Sequence, residues 1–594
     1  GLRSRTLEGK VWRLGDIVHS TPVSVGQPVE NYHVIYSSES YLNYLRLFGN
    51  RETMVYVGAN DGMLHAFTSW QYNSTSKQFS KPVSAPSSER IGDEIWAYIP
   101  QTLLPHLKWL ADPEYTHVYY VDERPRVFDA QILPDGTHYS DPASGKNWGT
   151  FLLCGLRMGG KHIWAEGDFG SGNEIRNFDP VYFLMDVTDP RNPRLMWERS
   201  YGKMGLSMSR PSIVKGKDSW FAVFGSGPMT YDGASSQNGY VFVVDLVTGN
   251  PVSGGAGDWL FDTGQKNAFM GASAALDKNL NFCVDTVYIG ETYAQGGSWN
   301  GNLYKIAIPA LNGGNFDPSD PSFYESDPTK WKFSKVFAAG QPITAAPSIS
   351  VDSVDNVWVY FGTGRFYSLL DKASTATEYF YGIKDPFYNP AHKSGGFLGG
   401  DYYQNYSKNL ILDAGDLLDS DPFEVRAATA RVYQGTQLFG TGSYQDFILY
   451  SRQFDGWKLT MQELGERVLE KPSIIGGTVL FVSYVPNDDV CGFGGESNFY
   501  GVYYETGAAY TKDILYSQST RKLDVDGLKD ELVFDRKISI GSGKASGISI
   551  HAGQQDGATA NVQMSTGDVL QIDIDPALSF KSRLIYWKEL DREN

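Results

Sequence analysis

The stretch DKNLNFCVD, residues 277–285, places oxygen-bearing side chains at alternate positions: Asp277, Asn279, Asn281 and Asp285. These are positions 1, 3, 5 and 9 of a calcium-loop pattern, and position 7 is Cys283, which would offer its main-chain carbonyl. Oxygen ligands so spaced converge on one ion when a loop curls. A helical calcium hand would also want Gly at position 6 and Glu at position 12. Here those positions are Phe282 and Tyr288, and TVYIG after Asp285 reads as a strand, so the expectation is a loop grafted onto a hairpin. Two charged ligands suit a calcium-rich extracellular setting better than a cytosolic sensor. The competing reading is a polar turn whose Asp and Asn bond their own backbone. Zinc is not indicated, because no matching Cys/His set surrounds Cys283. A second stretch, LDVDGLKDE, sets Asp524, Asp526, Gly527 and Asp530 at positions 3, 5, 6 and 9. It has Lys522 where the first ligand should be, and it reads as a turn.

The elements that must carry such a loop are short strands. VYVGANDGMLHAF (Val55 to Phe67) is a strand, an Asn-Asp-Gly turn and a second strand, which is a strong hairpin signal. Similar second strands occur in NGYVFVVDLVTG, NGNLYKIAI, FYGVYYETG and TGDVLQIDI. Pro-led first strands occur at STPVSVG, SRPSIVKG, AAPSISVD and EKPSIIGG. Proline is tolerated where no ladder hydrogen bond is needed. Several such hairpins at blade-like intervals predict an all-β propeller covering residues 1–594, with a sandwich or mixed sheet as the alternative. Long insertions are expected near residues 101–179, 311–330 and 384–412. The first contains LLPHLKWLADPEY, whose apolar spacing is helical until Pro113. YWKEL (Tyr586 to Leu590) reads as a closing strand.

Composition narrows the function classes. The 594 residues are 41% hydrophobic, with 64 glycines, and carry 51 basic against 68 acidic residues for a net charge of -17. That balance disfavours a non-specific nucleic-acid or anionic-membrane surface. Three cysteines (Cys154, Cys283 and Cys491) are too few for a disulfide scaffold and leave the compartment open. No apolar run approaches the length of a membrane helix. GLRSRTLEGKVW begins abruptly without a signal peptide and reads as the start of a fragment.

No catalytic set emerges. The glycines of VFGSGPM and VYFGTGR follow strands, and GSGKAS at Gly541 lacks phosphate-loop spacing. His19, His65, His106, His117 and His162 are scattered, and His65, inside the strand MLHAF, reads as a packed, hydrogen-bonded histidine. Asp16, Asp61 and Asp186 show no order that would bring them together. The enzyme alternative is a quinone-dependent oxidoreductase, since such propellers carry calcium beside the cofactor. The adjacent Cys-Cys pair common in those enzymes is absent.

WRLGDIVHSTPVSVGQP (Trp12 to Pro28), YVGANDGMLHAF and GDEIWAYIP (Gly92 to Pro100) closely resemble the PilY1 family of type IV pilus biogenesis factors. So do YFLMDVTDPRNPRLMWE (Tyr182 to Glu198), GERVLEKPSIIGGTVLFVSYVP (Gly465 to Pro486) and CGFGGESNFYGVYYETG (Cys491 to Gly507). The similarity runs in order along nearly the whole chain. The resemblance implies a modified seven-bladed β-propeller and a non-catalytic, calcium-responsive role in pilus extension and retraction. It also implies a secreted protein at the pilus tip or outer cell surface after periplasmic transit, supporting adhesion, twitching motility and surface sensing. Pilins would be its partners, with host or abiotic surfaces as further contacts. The family's calcium loop is typically Asp-x-Asp-x-Asp-Gly-x-x-Asp, with Asn also seen. Asp277, Asn279, Asn281 and Asp285 match its side-chain positions and Cys283 its carbonyl position, while Phe282 replaces the usual Gly.

Overall fold

Each Pro-led segment starts a strand at the edge of a sheet, where a missing N–H costs no ladder bond. Val23–Val25, Ser212–Lys215, Ser348–Val351 and Ser473–Ile475 all follow a proline and all stand at the end of their sheet. Arg126–Pro134 is a fifth case, led by Pro125. The computed structural model describes residues 3–73, 76–83, 85–140, 145–253, 257–313, 315–388, 411–487, 494–516, 518–521, 531–552 and 557–579. The second calcium-like stretch at 524–530, Cys491, YWKEL and most of the 384–412 insertion lie outside these residues.

The chain divides into two compact units. The first comprises Gly1–Tyr231, Gln237–Gly264 and Leu280–Cys283, and the second takes the remainder. In the first unit three sheets follow one another, each an antiparallel meander of four strands. The first sheet is Val23–Val25, Met54–Gly58, Leu64–Thr68 and Glu94–Tyr98. Its central hairpin pairs Val55 with Phe67 and Gly58 with Leu64, and the turn needs the left-handed backbone of Gly62 (φ +100°). The second sheet is Arg126–Pro134, Lys146–Gly155, Tyr182–Asp186 and Arg194–Arg199. The third is Ser212–Lys215, Trp220–Gly225, Tyr240–Asp245 and Phe261–Asp262.

The stretch 101–179 therefore lies only partly outside the sheets, because its middle supplies two strands. Phe128, Ala130 and Ile132 alternate into the core there, the period of a half-buried strand. Gln101–Ala111 is a 3₁₀ helix with Pro105 inside it, where an α-helical hydrogen bond would be lost. An α-helix, Glu39–Phe48, is capped by Ser38 accepting from the Tyr41 N–H, and it buries Tyr41 and Tyr44. The Tyr41 hydroxyl donates to the buried Asp129 carboxylate at 2.6 Å, which also accepts from the N–H groups of Val29 (2.7 Å) and Glu30 (3.1 Å) and from Thr150 (2.5 Å). That carboxylate fixes the segment leading to Tyr32 and Tyr36. His65 is buried as expected, bonded to Asp61 at 3.1 Å and Glu94 at 2.8 Å. Asp16 bonds Asn60 and His117, while Asp186 bonds His138 and Thr188.

Among the described residues the second unit holds four further sheets, beginning at Ala268–Leu276, Ser348–Val351, Ser473–Ile475 and Ser549–Ala552, mostly antiparallel, with Leu412–Asp413 and Leu418–Asp419 each added in parallel to the edge of one of the first two. In the first of them Ala268–Leu276 pairs with Thr286–Gln295, then Ser298–Ala307, then Lys332–Ala338. The segment 311–330, between its last two long strands, carries a short hairpin and two 3₁₀ turns. An additional sheet unites Phe423–Arg426, Arg431–Gln434 and Gln437–Leu438 with Gln518–Arg521 and Glu531–Phe534. The core is stacked aromatics: Phe481 lies 3.8 Å from Phe380 and 4.5 Å from Tyr500, nearly parallel to both. In a separate cluster Lys305 Nζ sits 2.7 Å from both Asp385 oxygens, with Tyr288 donating to the same carboxylate and the Phe387 ring 3.5 Å from the ammonium. Burial brings Lys305 down to about 8 against the pull of Asp385. The architecture is thus all-β and sheet-rich, with few helices.

Two outcomes follow from these buried charges. Lys305→Met should destabilise the second unit by about 3–5 kcal/mol, read from the denaturant midpoint, because Asp385 is left buried and unpaired. Adding Asp385→Leu should recover much of that loss. For His65, burial lowers the pKa, but its bonds to Asp61 and Glu94 outweigh that and hold it above the ordinary value. Its contribution is therefore fully present below the unfolded pKa of about 6.5 and fades as pH rises through the folded value. The stability gap between wild type and His65→Gln should shrink from pH 6 to 9; a widening gap contradicts this assignment.

Candidate metal loop

Residues 277–285 connect the paired strands Ala268–Leu276 and Thr286–Gln295. The strand ends hold the loop's last residue firmly. The Asp285 N–H donates to the Leu276 carbonyl at 2.8 Å, and the Ile308 N–H donates to the Asp285 carbonyl at 2.9 Å. The Asp285 side chain turns inward, only 5% exposed. One carboxylate oxygen accepts the Lys278 N–H at 2.6 Å, closing the loop on itself, and the other accepts the hydroxyl of Tyr324. Burial pushes Asp285 up to about 6, against the two hydrogen bonds that lower it, and the neighbouring negative charge of Asp277 raises it further.

The other predicted residues are placed differently. The Asn279 amide donates to the Pro318 carbonyl, in the 311–330 segment. Asn281 Oδ1 accepts the Cys283 N–H at 2.8 Å, a local turn of the kind expected when Asn caps its own backbone. The Cys283 side chain is buried. Among the described residues no group of three or more His, Cys, Asp and Glu side chains is placed to hold a metal ion. Any ion here would draw on amide and main-chain oxygens as well as the two carboxylates.

Two residues of the loop turn left-handed: Leu280 at φ +56° and Phe282 at φ +74°. The second is the position where a calcium loop ordinarily carries Gly, and a non-glycine residue there costs ~1–2 kcal/mol. Phe282 offsets that cost with ring contacts. Its ring stacks on Tyr36 at 4.1 Å and 15°, lies 4.8 Å from Tyr32 and runs nearly parallel to Trp148 at 6.2 Å. Trp220 meets it edge-on at 5.9 Å, and Lys215 Nζ sits 4.9 Å from its centroid. Trp148 is itself held by its indole N–H donating to Ser40 at 3.0 Å. Sequence reasoning missed this aromatic cage and Tyr324. The one available signal was the Phe at a glycine position; the partners lie 39 or more residues away along the chain and no local pattern marks them.

A family model described as the PilY1 β-propeller domain matches residues 14–395. A "Type IV pilus biogenesis factor PilY1 homolog" of Xylella fastidiosa is 25% identical over 585 residues, covering 95% of this chain and 37% of that protein. "Type IV pilus biogenesis factor PilY1" of Pseudomonas aeruginosa is 28% identical over 541 residues, covering 83% of this chain and 38% of that protein. The chain thus spans less than two fifths of the length of these relatives. The crystal structure of the Pseudomonas aeruginosa PilY1 C-terminal domain superposes with a TM-score of 0.59 at 21% identity, covering 92% of this chain and 99% of that one. At that identity the likeness concerns the fold. Among the described residues no helix is long and apolar enough to cross a membrane. With the family model matching well over half of its length, the chain belongs to the PilY1 β-propeller domain family.

Proposed function

We propose that this chain is the propeller portion of a type IV pilus biogenesis factor that responds to calcium and is not an enzyme. Seven of the sheets among the described residues would be the blades of a modified seven-bladed propeller. The protein would be secreted through the periplasm and presented at the pilus tip or outer cell surface. There it would contact pilins, bias pilus extension against retraction, and support adhesion and twitching motility. Membership of the PilY1 family is the observation that carries this reading. No observation among the described residues favours the quinone-dependent alternative.

Calcium would be held by Asp277 and Asp285 at the loop ends, with neutral oxygens from Asn279, Asn281 and the Cys283 carbonyl. The donor chemistry fits. Two carboxylates and two side-chain amides in one loop are all hard oxygens, and the burial that raises Asp285 would be offset by a divalent cation. Lys278 and Tyr324 would keep Asp285 oriented, and a bound ion would stabilise the conformation that gathers its ligands.

Calorimetric titration of calcium into the metal-free protein should show one site that Asp277→Ala weakens at least tenfold, about 1.4 kcal/mol. The sheets of that variant should stay folded by circular dichroism. Equal binding by both proteins would remove this loop as the principal site. In cells, the full-length protein carrying Asp277→Ala should alter surface piliation and twitching; unchanged motility would contradict the regulatory role.

A further inference from the structure

The contact between Lys305 and Asp385 in the second unit holds the parts of a condensation site as well as those of an ion pair. Lys305 lies on the strand Ser298–Ala307, and Asp385 directly follows the strand Tyr379–Lys384 of a different sheet. Both side chains are fully buried, and Nζ is 2.7 Å from each carboxylate oxygen. Equal distances to the two oxygens leave Nζ about 3 Å from Cγ, within near-attack range. Each oxygen also has its own donor: the Phe387 N–H reaches Oδ1 at 3.0 Å and the Tyr288 hydroxyl reaches Oδ2 at 2.6 Å. Residue 386 is proline, so the following peptide has no N–H on which the Asp385 acyl group could cyclise. We propose that Lys305 and Asp385 are a self-cross-linking site, forming an amide between Nζ and Cγ that joins two sheets of the second unit.

The step needs no cofactor or co-reactant. The ammonium first passes one proton to the carboxylate it touches, leaving a neutral amine and a neutral acid. In an apolar site that exchange removes two buried charges at once, and burial already draws Lys305 down to about 8. The Nζ lone pair then attacks Cγ, and the C=O electrons move onto an oxygen that already faces a donor. The Tyr288 hydroxyl and the Phe387 N–H hold that negative charge, as preorganised oxyanion donors do. Collapse expels the acid's hydroxyl, which takes a proton from Nζ and leaves as water. One N–C bond forms, one C–O bond breaks, and nothing is oxidised or reduced. The Phe387 ring, 3.5 Å from Nζ, and the buried Tyr388 keep bulk water from reversing the step.

The test is the intact mass of the purified wild-type chain under denaturing conditions, followed by peptide mapping. The chain should be lighter than its sequence by one water, and digestion should yield a branched peptide joining the segments around Lys305 and Asp385. Lys305→Arg keeps a cation beside Asp385 but offers no amine, so it should show the full sequence mass. Asp385→Ala should do the same whether or not it folds, because the mass is read on the unfolded chain. Tyr288→Phe removes one oxyanion donor and should lower the linked fraction. A wild-type chain at full mass, with Lys305 and Asp385 recovered in separate peptides, would overturn the proposal. So would a deficit of one water that persists in Lys305→Arg.

Discussion

A carboxylate taken out of water must be answered by donors, a cation or a proton, and this constraint shapes both units. In the first unit Asp129 is fully buried and answered by two backbone N–H groups and two hydroxyls. Those bonds tie the helix Glu39–Phe48 and the segment before it onto the second sheet. In the second unit Asp385 is answered by Lys305 and Tyr288. Asp285 is the less complete case. It has a hydroxyl and one N–H, a second carboxylate nearby, and a pKa pushed up to about 6. Asp129 and Asp385 tie elements together, whereas Asp285 closes the 277–285 loop on itself through Lys278 and joins it to Tyr324.

The aromatic residues complement the carboxylates. Strands of Tyr, Trp, Phe and Val bury rings that stack within a sheet, as Phe481 and Tyr500 do, between sheets, as Phe380 and Phe481 do, or gather at a loop, as Tyr32, Tyr36, Trp148 and Trp220 do around Phe282. Polar tips find partners in the stacks and at the loop alike: the Tyr500 hydroxyl donates to Glu466, the Trp148 indole to Ser40, and the Tyr41 hydroxyl behind Tyr32 to Asp129. Apolar burial supplies the stability, and these bonds choose one arrangement of rings among many of similar area.

The repeat was legible because its signals are local. Proline before an edge strand, Asn-Asp-Gly at a hairpin and alternating apolar residues each act within a few positions, and the strands they announced are present. The strands within residues 126–155 are hard to see in the sequence, because a long mixed segment hides the Pro125 start and the Phe128, Ala130, Ile132 alternation. The additional sheet joining 423–438 to 518–534 depends on pairing across roughly a hundred residues, which no local pattern encodes. At the loop, the alternation of Asp277, Asn279, Asn281 and Asp285 was plain, and the glycine-to-Phe282 departure was visible. What that departure meant was not, since Tyr36 and Trp148 approach it only through the folded chain.

The calcium reading proposed for the 277–285 loop requires its two carboxylates to share one ion. The most direct measurement is a crystal structure grown in calcium, with anomalous scattering to locate the ion. A peak with Asp277 and Asp285 oxygens about 2.3–2.6 Å away, and Phe282 still seated against Tyr36, is the predicted result. Calcium density elsewhere on the chain, with this loop bare and Asp285 still joined to Tyr324, would contradict it.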